Sequence, residues 1–226
     1  MRPLMIVTAI LLTTTIASAL PLTLSAYGGI ALEGAIVEVE KLDGTVIRTR
    51  VGHDGALVVR EVPLGILRVR IVSWKGVPVG YECTVTPHNS SIIVPNIYPL
   101  RVSVVGSRGQ GLAGASVKIF YGDILVETGS TDEAGVYSTL LPSGTYTVRA
   151  EYGERSAEES IRLDEAHELR IQLDIFAIVG GYPLSTSELI GMLTAAALIP
   201  LVLYIIAYEY TIWRKKRIIR ATVREK

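Results

Sequence analysis

LAGASVKIFYGDILVETGSTDEAGVYSTLLPSGTYTVR, residues 112–149, follows LEGAIVEVEKLDGTVIRTRVGHDGALVVREVPLGILRVR, residues 32–70, as a second copy displaced by about 80 positions. Leu32-Glu33-Gly34-Ala35 before Val37 matches Leu112-Ala113-Gly114-Ala115 before Val117, and Asp54-Gly55 matches Ala134-Gly135 at the same offset. Pro63-Leu64-Gly65 followed by Leu67-Arg68-Val69-Arg70 matches Pro142-Ser143-Gly144 followed by Tyr146-Thr147-Val148-Arg149, one residue closer. Within each copy apolar residues alternate with polar ones, as in Ile36–Glu40, Leu67–Ile71, Ser116–Ile119 and Leu169–Leu173. Period two with one apolar face marks half-buried antiparallel strands. Asp43-Gly44, Asp54-Gly55, Gly109-Gln110-Gly111, Ala134-Gly135 and Pro142-Ser143-Gly144 punctuate them as turns. Glu151–His167 reads as strand–turn–strand, broken at Gly153. The expected fold is all-β: two tandem seven-stranded β-sandwiches, residues 20–98 and 99–175, followed by one C-terminal transmembrane helix. Pro95 and Pro99 at the joint make it short and stiff.

The residues that repeat also carry a resemblance. Gly114-Ala115-x-Val117, then Thr131-Asp132-x-x-Gly135-x-Tyr137, then Leu141-Pro142-x-Gly144-x-Tyr146-x-Val148 resembles the carboxypeptidase regulatory-like domain. That family is related to transthyretin and to the B-type repeats of bacterial surface adhesins, and it implies a seven-stranded β-sandwich. Copy 22–98 follows the pattern less closely, because His53-Asp54-Gly55-Ala56-Leu57 lacks the aromatic residue. Gly135 and Gly144 are expected to supply turn conformations, and Tyr137, Tyr146 and Val148 to alternate into the core. These motifs build a scaffold and carry no chemistry. The resemblance also implies two things that this sequence does not offer. Adhesin repeats can hold Lys–Asn isopeptide bonds, but the strand at Leu100 has Arg101 and no lysine, and the last strands have no asparagine. Transthyretin-like hydrolases end in Tyr-Arg-Gly-Ser with catalytic histidines, and neither is present in this chain.

Beyond the sandwiches, Leu189–Tyr208 holds no charged side chain, enough helix to span a hydrocarbon core of about 30 Å. Ser185 and Glu188 fit a capping box at its entry, with Leu184 and Leu189 placed as a hydrophobic staple. Tyr204, Tyr208, Tyr210 and Trp213 suit a headgroup belt at its exit, and Arg214, Lys215, Lys216 and Arg217 follow. The expected segments are a linker at 176–187, a transmembrane helix at 188–210 and a basic cytoplasmic tail at 211–226. Gly180 and Gly181 in the linker are expected to let the ectodomain tilt. Residues 1–19 have the form of a secretory signal: Arg2, an apolar run Leu4–Ile16, and Ala17-Ser18-Ala19 before Leu20. The chain is neutral overall, yet residues 209–226 carry seven Lys/Arg against two acids and residues 20–188 carry fourteen against twenty. That asymmetry places the tail in the cytoplasm and the sandwiches outside.

Little in the sequence points to catalysis. His53, His88 and His167 share no ligand spacing, Cys83 is alone, and no nucleophile elbow occurs. No enzyme activity, cofactor, metal site or nucleic-acid partner is expected. Asn89-Ser90-Ser91 is a glycosylation sequon, which makes Asn89 a modification candidate. Gly191 and Ala195 present a small-residue face to a neighbouring helix, and Pro200 is expected to kink the helix below it. Glu151, Glu154, Glu158, Glu159, Asp164, Glu165 and Glu168 give the second copy an acidic surface. It is read either as a solvating face or as a site for a cation or basic partner. Two functions follow as expectations. One is a cell-surface ectodomain for binding, adhesion or envelope structure, with membrane lipid and an extracellular protein or glycan as partners. The other is an accessory subunit docked through the helix to a membrane-protein partner such as a transporter, translocon or membrane protease. The scarcity of Asn and Gln, two of each, hints at a hot habitat.

Overall fold

A computed structural model describes residues 19–60, 62, 66–86 and 88–224, with side chains to Arg214. The signal-sequence reading of residues 1–19, Ala19 excepted, lies outside the described residues, as do Glu61, Pro63-Leu64-Gly65 and Pro87. Seven strands form the first sheet pair: β1 Leu20–Ala26, β2 Ile36–Lys41, β3 Val46–Arg50, β4 Ala56–Val59, β5 Leu67–Trp74, β6 Val77–Val85 and β7 Ser91–Val94. Seven more form the second: β8 Ile97–Val105, β9 Ser116–Tyr121, β10 Ile124–Ser130, β11 Val136–Pro142, β12 Gly144–Tyr152, β13 Arg155–Leu163 and β14 His167–Gln172. A hairpin of β15 Ala177–Val179 and β16 Tyr182–Leu184 precedes helix α1, Thr186–Arg224.

The two sheet pairs are wired identically. Sheets β4-β1-β7 and β3-β2-β5-β6 face each other in the first, and β11-β8-β14 and β10-β9-β12-β13 in the second. In both, the opening strand pairs antiparallel with the fourth and parallel with the seventh. Two β-sandwiches, one per sequence copy, are the fold.

Alternation sets which side chains meet between the sheets. Leu22, Leu24, Val37, Val39, Val69 and Ile71 are buried in the first core. Val102, Val104, Val117, Ile119, Tyr146, Val148, Leu169 and Ile171 are buried in the second. Burying each Val or Leu contributes about 1.5–3 kcal/mol, so these rows carry the stability of a chain whose only cysteine, Cys83, is free.

The repeat is reproduced hydrogen bond for hydrogen bond at its glycines. Gly55 accepts from Leu24 N and Gly135 from Val104 N, both at 2.8 Å. Leu32 N donates to Leu24 O and Leu112 N to Val104 O, while Gly34 N donates to Val51 O and Gly114 N to Thr131 O. Gly135 adopts a φ of 78°, and a Cβ there would stand 2.5 Å from Leu112 N and 2.7 Å from Val104 O. Only glycine satisfies both the left-handed backbone and that approach.

Gly144 departs from the turn role expected of it. It opens β12 in an ordinary extended conformation, with Ser143 alone between β11 and β12. Its constraint is space, since a Cβ would come within 3.0 Å of the Tyr121 ring. Tyr137 differs as well: it sits half-buried at the rim of the second core and sends its hydroxyl to Glu127.

Candidate functional site

Two junctions stand out, one between the sandwiches and one between the second sandwich and the helix. At the first, only Pro95 and Asn96 separate β7 from β8, and Asn96 O accepts from Ser143 N at 2.9 Å. The cores interlock across this joint. Ile97, the first residue of β8, is buried in the first core and Leu140 of β11 packs against it, while Val77 of β6 is buried in the second core.

The polar half of the joint is centred on Lys75. Lys75 and Gly76, with φ of 51° and 81°, form the two-residue turn between β5 and β6. Two positive φ values match the twist of a tight hairpin, but for a lysine the left-handed region is unfavourable by about 1 kcal/mol or more. The side chain shows what offsets it. Lys75 Nζ donates to Glu127 Oε2 at 2.6 Å, Thr139 Oγ1 at 3.2 Å and Leu140 O at 3.2 Å, using all three ammonium protons on the other sandwich. It also lies 4.8 Å above the Trp74 ring, whose Nε1 donates to Glu33 O. Glu127 receives in addition Tyr137 Oη at 2.8 Å and Thr139 Oγ1 at 2.7 Å.

With Lys75 27% and Glu127 25% exposed, this pair is shielded more than a surface ion pair and is fully hydrogen-bonded. Burial pushes the Glu127 carboxyl up, but the bonds from Lys75, Thr139 and Tyr137 outweigh it and hold the carboxyl below its usual 4.5. Burial, followed by the Glu127 carboxylate, raises the Tyr137 phenol to about 12. Ile30, Trp74, Lys75, Pro99, Ser138, Thr139 and Leu140 line a shallow, mainly apolar groove of about 430 Å³ along this joint.

The second junction uses the corresponding hairpin of the second sandwich. Arg155, just after the β12–β13 turn, pairs with Glu188 at 2.6 Å. Glu188 closes the expected capping box: its Oε2 accepts from Ser185 N at 2.8 Å, and its own N–H donates to Ser185 Oγ at 3.2 Å. Each sandwich therefore hands on to the next element through the same β-hairpin, with a basic side chain reaching a glutamate on that element. Residues 176–187, expected as a linker, hold the β15–β16 hairpin. Gly180 and Gly181, at φ 61° and 86°, form the tight turn of β15–β16. Phe176 N donates to Leu184 O at 2.8 Å, and Pro183 lies against Gly153 of the β12–β13 turn.

Helix α1 runs unbroken through Pro200, and from Ile190 to Arg214 every side chain is exposed. Thr186–Arg214 is long and apolar enough to cross a membrane. The helix extends beyond the expected 188–210, continuing through the basic segment to Arg224. Gly191 faces open space.

The other sequence candidates are separate from these junctions. Asn89 is exposed on a turn closed by its N–H to Thr86 O. Of the acidic residues, Glu151 is taken by Lys118 at 2.7 Å and Arg149 at 2.9 Å, and Asp164 by Arg162 at 3.5 Å. Among the described residues no three His, Cys, Asp or Glu side chains stand close enough to hold a metal ion.

Sequence reading passed over Lys75, Glu127 and Thr139. The signal available was Trp74-Lys75-Gly76-Val77: a Lys-Gly pair between apolar residues marks a two-residue hairpin, and a lysine there has a ready reach beyond its own domain.

Comparison with known proteins returns no matching family and no matching curated protein. Among solved structures, the Bacillus anthracis TIE protein aligns at 18% identity over 69% of this chain, with a TM-score of 0.31. The chain spans 33% of that protein's length. The minor pilin GBS52 of Streptococcus agalactiae aligns at 14% over 69% of this chain and 94% of its own, TM-score 0.31. The shaft pilin SpaA of Lactobacillus rhamnosus GG aligns at 11% over 70% and 97%, TM-score 0.38. The assignment of this chain as two β-sandwiches rests on its own sheet topology.

Proposed function

We propose that this chain is a non-enzymatic cell-surface membrane protein whose two β-sandwiches form a stiff stalk, presented outside for binding, adhesion or envelope structure. The observation that carries the reading is the lock between the sandwiches through Lys75–Glu127 and their interlocking cores, with the more exposed Arg155–Glu188 pair adding a weaker tie to the helix. A chain built to move its domains independently needs long, solvated connections; this one joins its sandwiches by two residues and interlocking cores. The stalk's partners are membrane lipid at its base and an extracellular protein or glycan at its free end. The carboxypeptidase regulatory-like class is part of the proposal, supported by Gly135, Tyr146 and Val148 in their motif positions.

Cysteine labelling on intact cells tests the topology, with Cys83→Ser as the background. A membrane-impermeant maleimide should label Val58→Cys, exposed on the first sandwich, and reach Thr222→Cys only after permeabilisation. Labelling of Thr222→Cys in intact cells would refute the orientation. The small residues Gly191 and Ala195, both on the exposed length of α1, support docking of a second membrane helix as the companion reading. Crosslinking within the same membranes reads it out: a stoichiometric product with a multi-pass protein favours the accessory-subunit role, and none reduces the helix to an anchor.

A further inference from the structure

The β15–β16 hairpin is placed and composed like a foot. Its cross-strand pairs are Ala177 with Leu184, Ile178 with Pro183 and Val179 with Tyr182. Paired residues share a face of a hairpin and successive ones alternate. Pro183 lies against Gly153 of the second sandwich, and at the turn end of the hairpin Val179 and Tyr182 are 60% and 76% exposed. Tyr182 lies four residues before Thr186, at most about 14 Å of extended chain from the start of the helix. The hairpin is not free to swing. Gln110 Nε2 donates to Ile175 O at 3.0 Å and to Phe176 O at 3.2 Å, and the Arg108 guanidinium lies 5.3 Å over the Phe176 ring.

We infer that this hairpin is a lipid-contact element: Val179 and Tyr182 seat in the outer-leaflet interface and set the height and tilt of the stalk. The inference rests on the reading of α1 as membrane-spanning and deepens it. Continuity with that helix names the occupant: Tyr182 is four residues from the helix start, within reach of the lipid that would surround the entry at Leu189. A tyrosine with an apolar neighbour suits the headgroup boundary, where the ring is buried and the hydroxyl stays wet. Two side chains are too few to bind a bilayer alone. Here the helix already holds them at the surface, so their contact is intramolecular and needs little intrinsic affinity.

The test uses the full chain reconstituted in phosphatidylcholine vesicles, with a fluorophore on Val179→Cys or Tyr182→Cys in the Cys83→Ser background. Vesicle lipid carrying a nitroxide near the headgroup should quench both positions, and aqueous iodide should quench them several-fold less than it quenches Val58→Cys. Iodide access equal to that at Val58→Cys overturns the inference. Shielding from iodide without quenching by the nitroxide lipid also overturns it, since protein would then cover the hairpin. Leu198→Cys, mid-helix, separates the two levels. If it is quenched by a deep nitroxide while position 179 stays wet, the membrane-spanning reading stands and the lipid foot fails. If Leu198→Cys is itself open to iodide, both fail.

Discussion

Tyr146→Ala is expected to destabilise the second sandwich by about 3–5 kcal/mol, the usual loss for truncating a fully buried aromatic. Tyr146 is wholly buried in the second core, tilted against Tyr121 with ring centroids 5.7 Å apart, and its hydroxyl donates to Pro142 O at 2.6 Å. Three losses follow from one substitution: apolar burial, an aromatic pair, and the partner of a buried carbonyl. Tyr146→Phe should retain the first two and cost about 1–2 kcal/mol. Denaturant unfolding of the segment 20–184, which keeps the β15–β16 hairpin whole, measures both. A Tyr146→Ala loss under about 1 kcal/mol is what a surface residue gives, and it would mean that the register of β12 is wrong.

Gly135→Ala should be comparably damaging although it adds one methyl group. The left-handed φ alone costs an alanine about 1 kcal/mol or more. Here the methyl also meets Leu112 N, Val104 O and Gly111 Cα, all backbone and all under 3 Å, so the β11 turn must shift and the Val104–Gly135 hydrogen bond with it. A total of about 3 kcal/mol or more is a large part of the 5–15 kcal/mol that holds a domain together. Gly114→Ala is the control. Its φ is similar, 75°, but nothing stands within 4 Å of the added Cβ, so only the conformational cost of about 1 kcal/mol applies. Equal effects at the two positions would show that the packing around Gly135 is not as described.

What could be read in the sequence was whatever is local or periodic. Val117 and Ile119, Tyr146 and Val148, and Leu169 and Ile171 announce their inward face by alternation, and each pair is buried. Gly55 and Gly135 mark the repeat because a backbone requirement leaves only one residue type. Ser185 and Glu188 mark the helix entry because a capping box is four residues wide. The joint was not legible for the opposite reason. Lys75 meets Glu127 across 52 positions and Leu140 across 65, and each partner looks like an ordinary strand residue until the sandwiches are stacked. The β15–β16 hairpin escaped because three-residue strands are too short to show a period, so its two glycines resembled a hinge. Gly144 shows a third limit: a glycine kept for the space beneath Tyr121 resembles one kept for its backbone angle.

The stiffness of the stalk is the central claim, and a distance distribution between the sandwiches tests it most directly. Spin labels at Val58→Cys and Ile124→Cys, both exposed and on different sandwiches, report it in the Cys83→Ser chain. The interlocked cores and the three bonds of Lys75 predict one narrow distance. Lys75→Met should broaden it by leaving Glu127 half-buried without its cation. Acid should do the same: a carboxyl held below its usual 4.5 contributes fully above that value, and the contribution is lost as the pH falls beneath it. A broad distribution in the unmodified chain at neutral pH, unchanged by Lys75→Met, would contradict the account and leave two independent sandwiches on a tether.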